Sequence, residues 1–309
     1  MSTQPGKIST DYSQNSNPLM VRFTPVLFVW LWSTGFIGAK YGLPYAEPFT
    51  LLLYRMLITL LILGLIAVWL KSKWPSPRAA LHTAVTGILV HGLYLGGVFY
   101  AIKQGMPAGV VALIVGLQPL VTAIAAVLVL REGVIARQWL GLMLGVIGVA
   151  LVLLEKMSGT QQIDSFPLWT LVWAFIALVG ISVGTVYQKR YGQGVELMPG
   201  TFIQYCAAAI LFAIGSFMLE TQEVTWNTQL LLAMGWLVMG LSVGAILLLM
   251  QLIQRGAAFQ VASLFYLVPP VTALEAYILF DERLGAIALC GGVLTVAAVA
   301  LVMVKKRVP

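Results

Sequence analysis

The sequence predicts an all-α integral membrane protein of ten transmembrane helices, built as two five-helix repeats of inverted topology. Three observations predict it. Of 309 residues 60% are hydrophobic and 9% charged, with a mean hydropathy of +0.94, whereas a soluble domain carries roughly a quarter charged residues. The apolar runs are near ~20 residues long rather than short and alternating, which selects helices over a barrel. And the chain repeats itself at an offset of 150.

The repeat is clearest between Pro107–Glu132 and Ala257–Glu282, around which the chain is organised. At that offset Gln104 falls on Gln254, Val111-Ala112 on Val261-Ala262, Pro119 on Pro269, Val121-Thr122-Ala123 on Val271-Thr272-Ala273 and Glu132 on Glu282. The register holds without a gap through Gly141 and Gly291 to Val149–Val152 and Val299–Val302. Such a duplication predicts one fold for both halves.

In chain order, residues 1–22 are rich in Ser, Gln, Asn and Pro and lack the apolar core of a signal peptide, so a disordered cytoplasmic tail is expected. The first repeat, 23–155, holds apolar segments at about 23–42, 48–70, 79–102, 108–130 and 135–154. A periplasmic linker, 156–166, precedes the second repeat, 167–304, with segments at about 167–189, 200–219, 229–253, 258–280 and 285–304. Residues 305–309 form a basic cytoplasmic tail.

Orientation follows from the basic residues. An N-terminus in the cytoplasm places thirteen Lys and Arg inside (Lys7, Arg22, Lys71, Lys73, Arg78, Arg131, Arg137, Lys189, Arg190, Arg255, Lys305, Lys306, Arg307) and four outside (Lys40, Lys103, Lys156, Arg283). Both termini are therefore expected in the cytoplasm of a multi-pass protein. Five segments per half is an odd number, so the second half enters from the opposite side. Lys40-Tyr41-Gly42 and Arg190-Tyr191-Gly192 stand at the same offset on opposite faces. Inverted repeats are the architecture of alternating access around a midplane site. The net charge of +7 is scattered singly between apolar runs, which argues for topology signals and against a nucleic-acid partner.

The candidate chemistry is sparse. Glu275 is a carboxylate within segment nine, and such a group faces a cavity or a partner, not lipid. It is a candidate for proton coupling, or for a structural ion pair with Arg55 of segment two, which lies at similar depth, ~8 Å from the outer end by helical rise. His91 sits near the middle of segment three with Tyr94 one turn on. Gln118 precedes Pro119, and Pro119, Pro269 and Pro270 break segments four and nine at matched positions, the pattern of a central site. Trp32, Tyr94, Trp173 and Tyr266 lie deep enough to line an apolar, stacking pocket. The substrate-binding candidates are thus Trp32, His91, Tyr94, Gln118, Trp173, Tyr266 and Glu275, each of which core packing also accommodates.

Gly180–Gly184 and Gly240–Gly244 match G-x-S-x-G but sit inside apolar segments, where small residues let helices approach. Cys206 and Cys290 read as small packing residues, without a disulfide. No zinc motif, Walker loop or dinucleotide fingerprint is present, so no metal or cofactor is expected and transport would be secondary or facilitative.

Trp30–Tyr41, Arg55, the LVLRE stretch ending at Glu132, its copy from Pro269 to Glu282 and the Gly-rich fifth and tenth segments together resemble the drug/metabolite transporter superfamily, and within it ten-helix bacterial transporters with two EamA domains. The resemblance spans about 23–304 and implies a transporter of the bacterial cytoplasmic (inner) membrane. Its double proline, 269 and 270, departs from the single Pro119 of the first copy. The resulting expectation is a non-enzymatic exporter of small organic metabolites such as amino acids, with a cavity lined by segments one, three, four, six, eight and nine. The rivals are a proton-coupled multidrug or organic-cation antiporter and, from another class, a membrane scaffold or intramembrane enzyme. A small-molecule substrate and the lipid bilayer are the expected partners, with protons as a candidate coupling ion. The oligomeric state is left open.

Overall fold

The computed structural model describes residues 18–106, 111, 114–158, 167–280 and 285–303, and these form ten helices. They are α1 (Pro18–Gly42), α2 (Pro48–Trp69), α3 (Pro77–Lys103), α4 (Gln118–Leu130), α5 (Ala136–Ser158), α6 (Leu168–Tyr191), α7 (Leu197–Leu219), α8 (Thr228–Arg255), α9 (residues 258–280) and α10 (Ala286–Met303). Of the tail expected at 1–22, residues 1–17 lie outside the described residues, as do 305–309 and most of the expected linker, whereas residues 18–22 are not a tail but the first turn and more of α1. Helices α2, α3, α6, α7 and α8 are long and apolar enough to cross a bilayer. Large apolar side chains such as Leu61, Leu65, Val172, Ile210, Phe217, Leu232, Ile278 and Val293 point outward around the bundle, as a surface solvated by lipid requires. Cys290 is among the exposed residues and does not pack inside; both cysteines are free.

The ten helices pack with an internal two-fold that can be read from contacts. Helix α5 lies along α10, α2 along α7 and α4 along α9, while α1 packs on α8 and α9 as α6 packs on α3 and α4. At the α5–α10 seam a β-carbon added to Gly148 would stand 2.9 Å from the carbonyl oxygen of Gly291, and one added to Gly141 would stand 2.8 Å from that of Ala298. Since 141 + 150 = 291 and 148 + 150 = 298, the two contacts are images of each other. Gly291 against Val152 and Gly141 against Val302 are a second such pair. Reciprocal contact between equivalent residues is what a two-fold produces.

Two pairs of departures from α-helix repeat as well, whereas the π-helical turn at Ala126–Leu130 of α4 has no counterpart in α9. Helix α3 winds as a π-helix over Ile88–Leu93 and α8 does so over Leu237–Ala245; shifting the first by 150 gives 238–243. The prolines sit just after the other pair of irregular turns. In α9 a 3-10 turn at Leu264–Leu267 precedes Pro269, and before Pro119 the amide of Leu117 donates to the carbonyl of Ile114 at 3.1 Å, again at the same offset. Proline removes a ladder donor and crowds the preceding turn, so a tightened turn there is the physical expectation.

Helix starts are marked by ordinary caps at Ser76 and Asn227, whose side chains accept from the amides of Ala79 and Leu230. Helix α2 is capped from another element. Pro48 has no amide hydrogen, the amides of Phe49 and Thr50 donate to the Glu220 carboxylate at 2.8 and 2.7 Å, and that of Leu51 donates to the Glu47 carbonyl. All donors of the first turn are thereby satisfied. Glu47 in turn receives the Lys103 ammonium and both the amide and hydroxyl of Thr221. Slight burial raises this carboxyl, but the Lys103 ammonium and the two Thr221 donors outweigh it and hold Glu47 below the usual carboxylate range. A depressed pKa stabilises the fold above the unfolded value near ~4.3 and is lost as pH falls through the folded one. We therefore expect acidification from pH 6 to 4 to lower the melting temperature more for the native protein than for Glu47→Gln, and equal slopes would refute this role.

Candidate functional site

A narrow cavity of about 60 Å³ enters the bundle at the end opposite the basic loops and is lined by α1, α2, α3 and α8. Leu43, just past the end of α1, and Ile102, near the end of α3, line it together with Arg55, Val90 and His91, which lie further along their helices. Trp32, Tyr94, Val98, Phe99, Leu241 and Ile246 supply apolar surface. In this conformation the space holds a few waters or one small polar group. Among the described residues no side chain of α4, α6 or α9 lines it, although these segments were expected to; α2 takes part, because Arg55 points into the bundle.

Arg55 is 3% exposed, and its Nε donates to the hydroxyl of Ser242 at 2.7 Å. The Ser242 carbonyl accepts from the Tyr205 hydroxyl at 3.3 Å. Tyr205 packs its ring 4.7 Å from that of His91, so Arg55, Ser242, Tyr205 and His91 form one buried cluster. His91 Nε2 stands 3.1 Å from the Gln204 side-chain oxygen, and Gln204 Nε2 donates to the Gln188 side-chain oxygen at 3.1 Å. An acceptor at Nε2 assigns the ring proton there, leaving Nδ1 as an acceptor. That Nδ1 is buried without a hydrogen-bond partner among the described residues.

Two of the three π-helical stretches among the described residues, those of α3 and α8, feed this cluster. His91 lies in one and Ser242 and Leu241 in the other, which places wide turns where the two repeats face each other across the cavity, a recurrent setting for functional residues. Beyond the cluster a second, small pocket begins at the basic end, lined by Glu196, Gln254, Gln188, Gln204 and Met250. The His91–Gln204–Gln188 chain separates it from the first cavity.

Of the residues singled out in the sequence, Trp32, His91, Tyr94 and Arg55 come together in the cavity. Trp32 stacks on Tyr94 with ring centroids 6.3 Å apart and an interplanar angle of 20°. Trp173 packs against Tyr100 instead, centroids 4.6 Å apart, and is not part of the lining. Tyr266 is fully buried; its hydroxyl donates to the Leu142 carbonyl at 2.9 Å and its ring fills the space left by Gly145. It fastens α9 to α5. Gln118 is buried with both side-chain polar atoms unpartnered, on a helix that packs on α6 and α9 and away from this cavity.

The Arg55–Glu275 ion pair does not form. Glu275 Oε1 accepts from the Ser33 hydroxyl at 2.6 Å, and Oε2 has no hydrogen-bond partner among the described residues. Similar depth put the two residues on a par, but Arg55 faces α8 whereas Glu275 faces α1. Gln204 and Gln188 were not singled out, although a polar side chain inside an apolar run is the signal that marked His91, and Ser242 was read only as part of the small-residue face Gly240–Gly244.

A model of the EamA-like transporter family matches residues 22–154 and again residues 168–304. The chain belongs to the EamA-like transporter family. Relatives of this EamA-like chain span nearly its whole length. It is 28% identical to the uncharacterized transporter YvbV of Bacillus subtilis, over 90% of this chain and 89% of that protein. It is 27% identical to a probable amino-acid metabolite efflux pump of Salmonella typhimurium, over 89% and 92%, and 26% identical to the uncharacterized inner membrane transporter YedA of Escherichia coli K12, over 90% and 89%. A crystal structure described only as that of a protein superposes with a TM-score of 0.76 at 19% identity, covering 91% of this EamA-like chain and 96% of that one, which is a likeness of fold.

Proposed function

We propose that this EamA-like protein is a secondary or facilitative exporter of small organic metabolites such as amino acids, working by alternating access in the bacterial cytoplasmic membrane. The observation that carries the reading is the pair of cavities entering from opposite ends and separated by His91, Gln204 and Gln188. With both termini in the cytoplasm, as the charge bias supports, the cavity of Arg55 faces outward and the hydrogen-bonded chain is the inner barrier. Opening inward then requires the His91–Gln204 contact to break, while the two-fold supplies an equivalent arrangement for the opposite state.

Uptake of radiolabelled amino acids and organic cations into proteoliposomes, with and without a pH gradient, tests this. Amino acids are expected to move, and Glu275→Gln is expected to retain transport within about threefold. Gln still accepts from Ser33, and Glu275 lies outside the cavity lining. Gradient-driven cation transport abolished by Glu275→Gln would instead identify a proton-coupled antiporter, for which the unpartnered Oε2 is the favouring observation. Failure of every compound to move through folded, reconstituted protein would overturn transport of these metabolites.

A further inference from the structure

We infer that the cavity selects small carboxylates that also carry a hydrogen-bond donor on the adjacent carbon, with Arg55 holding the carboxylate and His91 Nδ1 accepting from the donor. The inference rests on the transport reading and deepens it by naming the ligand chemistry and the two groups that recognise it.

Three observations carry it. Arg55 is a buried cation whose hydrogen-bond partners are the hydroxyls of Ser242 and Tyr205, with no carboxylate beside it among the described residues, and Glu275, the carboxylate at comparable depth, is committed to Ser33 on another face. An arginine removed from water is ordinarily matched by an anion, and its planar fork suits a carboxylate. Its cavity wall also carries His91, whose Nδ1 is an unused buried acceptor held in that tautomer by Gln204. A buried acceptor without a donor is costly, and a ligand ammonium or hydroxyl would satisfy it. The rest of the lining is apolar and aromatic, with Trp32, Tyr94 and Phe99 available to a hydrocarbon body.

The combination is asymmetric. A cation without a carboxylate meets the Arg55 charge and gains nothing at it, so organic cations are disfavoured by this site. The space in this conformation matches the head group alone, and the body is accommodated as the cavity widens at Leu43 and Ile102.

Equilibrium binding to the purified full chain in nanodiscs, measured with L-phenylalanine, 3-phenyllactate, 3-phenylpropionate and L-phenylalaninamide, isolates each group on one hydrocarbon body. Phenylalanine and phenyllactate are expected to bind most tightly. Loss of the donor in phenylpropionate is expected to weaken binding about tenfold, and loss of the carboxylate in the amide by about ten- to a hundredfold, the range of charge-assisted hydrogen bonds. Arg55→Gln is expected to weaken the carboxylates by the same factor and leave the amide unchanged, with Arg55→Lys intermediate. A merely structural arginine would affect all four compounds alike. Should Arg55→Gln fail to fold, the four-compound series on the native chain still decides. Wild-type protein that binds none of the four, or binds the amide as well as phenylalanine, overturns the inference. Because this is a binding measurement, carboxylate binding without translocation would leave it standing and sink the transport reading, whereas amino-acid transport by a chain that binds phenylalaninamide as tightly as phenylalanine would do the reverse.

Discussion

Replacing Gly87 by alanine is expected to destabilise the fold by at least about 3 kcal/mol and to abolish transport. A β-carbon there would lie 2.3 Å from the carbonyl oxygen of Gln204 and 2.5 Å from its α-carbon. These are backbone atoms, which no rotamer change can move. Helices α3 and α7 must separate by roughly an ångström, and overpacking of this kind costs about 1–3 kcal/mol even where side chains can give. The displaced residue is the one that links His91 to Gln188, so the inner barrier is lost along with the packing. Thermal unfolding in detergent and proteoliposome uptake measure the two effects, with a fall in melting temperature of more than ~5 °C expected. Gly235→Ala is the control, since nothing lies within 4 Å of its added carbon. If Gly87→Ala melts like that control, the close approach of α3 and α7 is not real.

Glu220→Ala is expected to cost about 3 kcal/mol. The Glu220 carboxylate accepts from the amides of Phe49 and Thr50 and from the Thr50 hydroxyl at 2.8 Å. Alanine leaves two amides at the start of α2 without a partner in a buried position, each worth about 1–3 kcal/mol, and removes a negative charge from a helix N-terminus, where it is favourable. Glu220→Gln retains one acceptor oxygen and should lose about half as much. Melting of Glu220→Ala indistinguishable from native would show that water or another group caps α2.

The ten segments and the two-fold were legible because both are one-dimensional: hydropathy marks a span, and a fixed offset marks a repeat. The matched prolines located the tightened turns for the same reason. The π-helical stretches were not legible, since one extra residue per turn leaves no compositional trace, and His91 and Ser242 owe their positions to them. Depth was legible and direction was not. Arg55 and Glu275 lie at similar depth by residue count, but which neighbour each one faces depends on the packing of whole helices, and the pair dissolved on that point. The aromatic residues divided in the same way. Trp32 and Tyr94 reached the cavity, whereas Tyr266 was drawn into the glycine-made hollow of α5.

The reciprocal seam between α5 and α10 has a mechanical meaning. Interchanging the two repeats turns Gly141 against Ala298 into Gly291 against Gly148, so the set of contacts is carried onto itself. A protein that cycles by letting each repeat adopt the other's conformation therefore passes through both end states with this seam unaltered. In the proposed cycle this seam is a stationary keel, and the strokes fall to the other helices.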